Sequence, residues 1–470
     1  MNERLINAFA QIVGTENVRS SQAELLAYSY DATANFQAKP DLVISPNTTE
    51  EVAGIVKLCS KEQLPIVPRG SGTNLAAGTV PTSGGVVILF NRMNRIVELD
   101  MENLTITVQP GVITQDICSF VEQHGLFYPP DPSSMKISTI GGNVNENSGG
   151  LRGLKYGVTK DYVKALTAVL PNGELIKTGG KLAKDVAGYD LTALLVGSEG
   201  TLGIITEITL KLIPMPASKK TGIAYFNSLE DAAKTVSAII ANKIIPVTLE
   251  FMDKGTIGAV EDFMKIGLPR DAEAMLLFEQ DGDEEMVIRD TKRMIEIAVD
   301  NGATSTALAA SNEEADVLKT GRRVALSALS RKRPTTILED ATVPRSEIAK
   351  MVKEIQEIAV RHDVQICTFG HAGDGNLHPT CLTDVRDQEE MERVERALDE
   401  IFEAAIRLGG TITGEHGVGE MKAPYLEWKL GPSGIQLMRA IKESIDPQNI
   451  MNPGKIFAKS TKKRLVLQNA

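Results

Sequence analysis

The first half of the chain combines two spacings of apolar residues. A capping-box pattern at Thr48 and Glu51 precedes apolar residues at helical spacing, which predicts a helix there. Short apolar or alternating runs predict strands at 65–68, 86–90, 104–108 and 203–212, and the pattern also resumes over 161–170. Segments rich in proline, glycine, asparagine and serine at 128–134 and 141–150 are predicted to be loops, and ordered loops of this length usually carry function.

The pattern changes after residues 213–220, which are predicted to be a linker. Beyond them, helices are expected from 228 and over 284–301, 312–329, 344–362 and 387–408. Strands are expected at 274–279, 336–338 and 364–369. This second alternation of helices and strands predicts a separate domain.

The composition is that of an ordinary globular protein with more than one domain. A chain of 470 residues is too long for one compact core. Its 42% hydrophobic and 24% charged residues allow each domain a large hydrophobic core. The net charge of -11 argues against a nucleic-acid partner, because phosphate binding needs a basic surface.

The ends of the chain and its cysteines indicate a cytoplasmic protein. The N-terminus lacks the pattern of a signal peptide, and no apolar run approaches the roughly 18 residues of a membrane-spanning helix. The four cysteines include no Cys-x-x-Cys pair, which favours reduced thiols over an iron–sulfur cluster. A basic tail (Lys459, Lys462, Lys463 and Arg464) suits peripheral contact with a membrane or partner, although a solvated terminus is the simpler interpretation.

A glycine-rich loop follows the strand predicted at 65–68. In Arg69-Gly-Ser-Gly-Thr-Asn74, small residues let backbone N–H groups converge on phosphate oxygens. The loop is not a Rossmann fingerprint, because Leu75 occupies the third glycine position, and it lacks the Gly-Lys-Ser/Thr of a Walker A loop. Taken alone, the loop is more simply interpreted as a turn that binds nothing.

Three of the five histidines lie in two short motifs. His371 and His378 are the ends of His-Ala-Gly-Asp-Gly-Asn-Leu-His, and His416 follows Glu415 in Gly-Glu-His-Gly. The glycines prevent a regular helix, so a tight turn can bring both imidazoles of the first motif to one point. With Glu415 as an oxygen ligand, two histidines and one carboxylate are a common set for Zn, Mn or Fe with open positions. The alternative is that these histidines only form ordinary hydrogen bonds.

The run from about 40 to 212 resembles the flavin-binding domain of the vanillyl-alcohol-oxidase family. The resemblance implies a PCMH-type fold of two subdomains and FAD with its pyrophosphate over the loop after Arg69. It implies non-covalent FAD, because this loop lacks the histidine that tethers FAD in some members. The terminal run 450–455 resembles the family motif that returns to the flavin. The implied cofactor-binding residues are Arg69, Gly70, Ser71, Gly72, Thr73, Asn74, Pro130, Ser133, Ser134, Gly141, Gly142, Asn143, Tyr156, Gly157, Ile204, Ile205 and Asn452.

Together with the histidine motifs, nearly the whole chain resembles one group within that superfamily. The group contains glycolate oxidase flavoprotein subunits, D-lactate dehydrogenases and D-2-hydroxyglutarate dehydrogenase. The resemblance implies that His371, His378 and Glu415 bind a divalent metal and that His416 is the general base.

The same resemblance implies how a small carboxylate substrate is recognised. Arg322 is implied to bind the carboxylate, a task that suits the fork of a guanidinium group, although a solvated arginine on a helix is the alternative. Hydroxyglutarate dehydrogenases carry a lysine for a second carboxylate where this chain is apolar around Leu338. Lactate or glycolate is therefore expected rather than a dicarboxylate.

The sequence thus predicts an α+β enzyme that uses FAD and a metal to oxidise glycolate or D-lactate to the 2-oxo acid. Electrons are expected to leave to companion iron–sulfur or flavin subunits, an electron-transfer flavoprotein or a quinone. The alternatives are a D-2-hydroxyglutarate-type dehydrogenase, a non-catalytic flavoprotein subunit of an electron-transfer complex, a flavin-free metallohydrolase, and a phenol or sugar oxidase. The expected domains are an FAD-binding domain at 1–214, a cap domain with an antiparallel sheet at 215–410, and a C-terminal segment at 411–470 that returns to the FAD site.

Overall fold

The computed structural model describes residues 1–457, and the predicted basic tail lies outside the described residues. Internal contacts divide the chain into two units. The first unit contains Met1–Ser148, Val158–Met215 and the described residues from Glu415 onward, and the second contains Gly149–Gly157 and Pro216–Gly414. The domain boundaries after 214 and 410 stay predictions.

Two larger sheets form the framework of the first unit within the described range. In the four-stranded sheet, Leu42–Ile44 and Ile66–Arg69 pair in parallel with Val86–Leu89, and Val18–Arg19 adds an antiparallel edge. The five-stranded sheet is antiparallel. Its order is Ile96–Asp100, Thr105–Val108, Ile204–Lys211, Val163–Val169 and Leu175–Gly179.

Helices cover these sheets and follow the predicted capping. Thr48 Oγ1 accepts a hydrogen bond from the N–H of Glu51 at 3.2 Å, at the start of Thr49–Glu62, so that helix prediction is confirmed. The side chains of this helix pack in one apolar cluster with the four-stranded sheet. The helices of the unit are Glu3–Val13, Gln22–Leu26, Thr49–Glu62, Thr114–Glu122, Ile140–Glu146, Leu191–Leu195 and Leu426–Ile445.

Two predictions in this unit are wrong. The predicted loop at 141–150 contains the helix Ile140–Glu146, because Thr139 Oγ1 caps its first turn by accepting from the N–H of Gly142 at 3.4 Å. The predicted linker begins with Ile213–Pro214, which pairs with the strand Leu126–Phe127.

The second unit is built on one antiparallel sheet, which is eight-stranded within the described residues. The predicted linker also contains the start of its strand Ser218–Phe226. The strands run in the order Ala303–Leu308, Ser218–Phe226, Ala274–Gly282, Thr248–Asp253, Gln365–His371, Asn376–Thr383 and Thr335–Leu338, with Ala341–Thr342 also paired to Asn376–Thr383.

Helices pack on this sheet and differ from the prediction at two places. The predicted helix 312–329 is two helices, Asn312–Arg323 and Ala325–Leu329, and the helix predicted from 344 begins at Ile348 after a short 3-10 turn. The helices of the unit are Gly153–Tyr156, Leu229–Ala241, Lys254–Met264, Glu284–Asp300, Asn312–Arg323, Ala325–Leu329, Ile348–His362 and Gln388–Arg407. No described helix is both long enough and apolar enough to cross a membrane.

Candidate active site

The two histidines of the first motif lie on a hairpin of the second unit. Strand Gln365–His371 pairs with Asn376–Thr383 so that Phe369 faces His378 and His371 faces Asn376. Because side chains two positions apart share a face, the two imidazoles lie on one face of the sheet as diagonal neighbours. Their ring centroids are 5.2 Å apart, and a ring nitrogen of each lies within 4.8 Å of one on the other.

A buried carboxylate holds each imidazole by its Nδ1 atom. Glu250 Oε1 lies 2.8 Å from Nδ1 of His371, and Asp340 Oδ1 lies 3.0 Å from Nδ1 of His378. Histidines that bind metals usually have their other ring nitrogen hydrogen-bonded in this way. The donor set of this hairpin therefore fits a divalent metal.

Arg322 belongs to the same buried cluster. Its Nε forms an ion pair with Glu250 Oε2 at 2.6 Å, and its guanidinium group lies 4.7 Å from the ring centroid of Phe369. Burial raises the pKa of the Glu250 carboxyl, but the interactions with His371 and Arg322 outweigh burial and leave that pKa below its ordinary value.

Two nitrogens of this arginine, Nε and Nη2, have no hydrogen-bond partner among the described residues, although Nε has the ion pair with Glu250. Arg322 is 2% exposed, and its Nη2 has no hydrogen-bond partner among the described residues. A buried donor without a partner costs free energy. An anionic ligand would therefore be bound favourably at this atom.

Asp340 of the same cluster also binds the residues that directly precede Glu415 and His416. Asp340 Oδ2 accepts hydrogen bonds from Thr413 Oγ1 at 2.9 Å and from the N–H of Gly414 at 3.0 Å. The chain leaves the second unit after Gly414, so Glu415 and His416 are the next two residues along the backbone and belong to the first unit. There, Nε2 of His416 lies 3.8 Å from Oε1 of Glu415.

The first unit contains a cavity beside the glycine loop. Arg69 ends a strand of the four-stranded sheet, and its Nη1 donates to Thr79 Oγ1 at 3.3 Å. Burial lowers the pKa of the Arg69 guanidinium, with the Asp31 charge opposing that shift. The cavity is lined by Pro68, Arg69, Gly70, Gly78, Thr79, Phe90, Pro110, Thr139, Gly141, Gly142, Asn145, Glu146, Glu199, Gly203, Ile205 and Asn452.

The walls of this cavity suit a large polar cofactor. A Cβ atom on Gly70 would lie 2.0 Å from Thr139 Oγ1, so no side chain fits there and the bare backbone would let a phosphate approach. Asn452 Oδ1 is buried and has no partner among residues 1–457, which leaves an acceptor for a ligand donor. Burial, together with the Glu199 carboxylate, raises the pKa of Glu146 well above its ordinary value. The residues present therefore fit FAD.

Two family models match the chain. The FAD binding domain model matches residues 40–179, and the model for the C-terminal domain of FAD linked oxidases matches residues 215–456. The chain belongs to the FAD-linked oxidase family. The sequence-based expectation of a flavoprotein oxidoreductase is therefore confirmed.

Relatives and a solved structure agree with this membership. This FAD-linked oxidase is 64% identical over 458 residues to the glycolate oxidase subunit GlcD of Bacillus subtilis (strain 168), covering 97% of each chain. It is 39% identical over 446 residues to the D-lactate dehydrogenase of Anaerostipes hadrus, covering 92% and 93% of the two chains. The structure of p-cresol methylhydroxylase with substrate bound matches with a TM-score of 0.80 at 18% identity, over 97% of this chain and 96% of that one. The predicted α+β fold with a PCMH-type FAD-binding domain is confirmed.

The residues implied for FAD binding are not all placed alike in this oxidase. Six of them line the cavity: Arg69, Gly70, Gly141, Gly142, Ile205 and Asn452. Asn452 returns to the strand that leads into the glycine loop, because its N–H donates to the carbonyl of Ile66 at 2.7 Å. Nine lie in the first unit outside the cavity lining: Ser71, Gly72, Thr73, Asn74, Pro130, Ser133, Ser134, Asn143 and Ile204.

Two of the implied residues, Tyr156 and Gly157, lie in the second unit of the oxidase. The hydroxyl of Tyr156 donates to the carboxylate of Asp281 at 2.9 Å. Their contact with FAD stays a prediction, as do the other implied cofactor contacts.

Sequence reasoning did not identify Glu250 and Asp340. Glu250 is an acidic residue inside the apolar strand Thr248–Asp253, and that contrast was the available signal. Asp340 follows another acidic residue in a short connection and carries no comparable signal.

Proposed function

We propose that this FAD-linked oxidase oxidises a small 2-hydroxy acid, glycolate or D-lactate, to the corresponding 2-oxo acid. The observation that carries the proposal is the buried Arg322 Nη2, which needs an anionic partner beside two histidines held by carboxylates. The names of the relatives, glycolate oxidase subunit and D-lactate dehydrogenase, support the same substrate class. Leu338 packs against an apolar cluster, which favours these monocarboxylates over D-2-hydroxyglutarate.

We propose that FAD is bound non-covalently in the first unit and that His371, His378 and Glu415 bind a divalent metal. When bound, FAD supplies a two-electron acceptor and the metal supplies Lewis acidity toward the substrate hydroxyl. Zn, Mn and Fe all suit two imidazoles and one carboxylate.

The residues of the chain account for binding and proton transfer in this reaction. Arg322 binds and orients the substrate carboxylate through its free nitrogen. His416 accepts the proton of the hydroxyl group, a task that suits an imidazole near neutral pH. Oxidation removes that proton together with a hydride equivalent from C2, and the two electrons then pass to a partner protein or a quinone. A companion protein is proposed because the Bacillus relative is itself named a subunit.

Anaerobic bleaching of the flavin tests the proposal. The purified holoenzyme is mixed with D-lactate, L-lactate, glycolate or D-2-hydroxyglutarate, with and without a chelator. Glycolate or D-lactate should bleach the flavin, and the chelator should slow this. The absence of bleaching with every acid would favour the non-catalytic flavoprotein instead.

A histidine substitution tests the role of the base. His416→Ala should retain FAD and abolish reduction by substrate, whereas His124→Ala, which changes an exposed histidine bonded to the Phe120 carbonyl, should reduce normally. Full-speed reduction in His416→Ala would exclude this residue as the base.

A further inference from the structure

Four polar side chains form a row across neighbouring strands of the second unit. Glu250 lies in Thr248–Asp253, His371 in Gln365–His371 and His378 in Asn376–Thr383, and Asp340 lies between Thr335–Leu338 and Ala341–Thr342. Phe251 pairs with Gly370 in antiparallel register. The residue before Phe251, Glu250, is therefore opposite the residue after Gly370, His371. Leu338 pairs with Thr380 and Ala341 with Leu377, so Asp340 stands opposite His378.

We propose that Glu250 and Asp340 are positioning residues that fix both imidazoles, with Nδ1 as the donor to the carboxylate and Nε2 as the atom that would bind a metal. The inference rests on the proposed metal-dependent function and names the groups that make its histidine site. Directly opposite side chains in an antiparallel pair are the closest cross-strand neighbours, so each carboxylate meets one imidazole. An ionised carboxylate only accepts hydrogen bonds, so the Nδ1 atom that faces it carries the proton.

Each carboxylate also connects its histidine to a second part of the site. Glu250 uses Oε1 for His371 and Oε2 for Arg322 at 2.6 Å, and thereby sets the substrate-binding cation relative to that imidazole. Asp340 uses Oδ1 for His378 and Oδ2 for Thr413 and Gly414, the last residues before Glu415. The two carboxylates therefore have different second roles.

Both carboxylates are buried away from water. Glu250 is 1% exposed and Asp340 is 0% exposed, so water does not replace either bond. A partner that holds a metal-binding histidine typically contributes about 10- to 100-fold to metal affinity. Loss of either carboxylate should therefore weaken the metal without removing a ligand.

The test measures Zn²⁺ affinity of the metal-stripped holoenzyme by calorimetry. Glu250→Gln and Asp340→Asn should each weaken binding by about 10- to 100-fold. Glu279→Gln is the matched control, because Glu279 is a buried carboxylate of a neighbouring strand that pairs with Lys319 at 2.8 Å. The Zn²⁺ affinity of Glu279→Gln should equal that of the unchanged protein. Affinities within twofold in both site variants would overturn the proposal.

Nitrogen NMR of ¹⁵N-histidine protein without metal gives the second readout, and five histidines make the spectrum tractable. In the unchanged protein, His371 and His378 should both be Nδ1–H tautomers. Glu250→Gln should change only the His371 signals, and Asp340→Asn only those of His378. If the unchanged protein shows Nε2–H tautomers at both positions, the proposal is wrong even where a variant fails to fold. If the tautomers are as expected but Zn²⁺ does not bind, the proposed metal function fails and the positioning role survives.

Discussion

Arg322→Lys tests the substrate-binding cation while leaving a positive charge beside Glu250. Arg322 Nε is engaged by Glu250 at 2.6 Å, so Nη2 is the donor that remains for a ligand. A lysine is a single-point donor, and an ammonium group that stays on Glu250 does not also reach the substrate.

The expected loss follows from one charge-assisted hydrogen bond. Such a bond contributes about 1.5–3 kcal/mol, and each 1.4 kcal/mol corresponds to a factor of ten. The kcat/KM of the variant for glycolate or D-lactate should therefore fall by about 10- to 150-fold. FAD content should not change, because Arg322 is not among the residues implied to bind FAD and does not line the cavity beside the glycine loop.

The decisive assay compares lactate with lactamide, its neutral analogue. If Arg322 binds the carboxylate, the substitution should penalise lactate far more than lactamide in stopped-flow flavin reduction. Arg331→Lys is the control, because Arg331 also lies over a phenylalanine ring, at 5.2 Å from the centroid of Phe263, but on the exposed surface. Equal losses for the two substrates, or no loss for either, would refute the reasoning.

Three further substitutions test the structure. Gly375→Ala should lower the free energy of unfolding by about 2 kcal/mol or more in urea titrations. The reason is that φ is +88° and a Cβ would lie 2.1 Å from the Val343 carbonyl oxygen. Gly258→Ala is the control, because its Cβ meets nothing within 4 Å, and it should not be destabilising. Gly70→Ala should weaken FAD binding at least about tenfold in ultrafiltration, because its Cβ would lie 2.0 Å from Thr139 Oγ1, and an unchanged flavin content would contradict this. Burial raises the pKa of Asp253 from 3.8 to about 6, so this group costs stability as pH rises between those values, by up to about 3 kcal/mol. The stability of Asp253→Asn relative to the unchanged protein should therefore improve between pH 4 and pH 7, and a constant difference would show that the carboxyl does not titrate there.

The histidine pair was predictable from the sequence, because its physical basis is local. Seven residues with a tight turn between His371 and His378 are enough to bring two imidazoles together, and the resulting hairpin does this by ordinary strand pairing. The prediction differed in detail, since it expected a bent loop where the structure has two paired strands joined at Gly375.

The carboxylates were not predictable, because their positions depend on strand order. Glu250 is 121 residues from His371 along the chain, and Asp340 is 38 residues from His378. Only the placement of Thr248–Asp253 beside the hairpin, and of Ala341–Thr342 on its other side, brings them opposite the imidazoles. The helix Ile140–Glu146 was missed for a related reason. Its glycines and asparagines disfavour a helix locally, but the helix forms with Thr139 as its N-terminal cap.

The buried cluster of the second unit is better explained by ligand binding than by the stability of the fold. Arg322, Glu250, His371, His378 and Asp340 are all at most 3% exposed, and burying so many ionisable groups costs desolvation free energy. Apolar residues of similar size often stabilise a core as well or better. Each imidazole is also fixed by a carboxylate at its Nδ1 atom, and Nη2 of Arg322 has no hydrogen-bond partner among the described residues. A carboxylate at Arg322 Nη2 would supply the missing partner there, a cation would suit the two Nε2 atoms, and a metal-dependent hydroxy-acid oxidase needs both in one place.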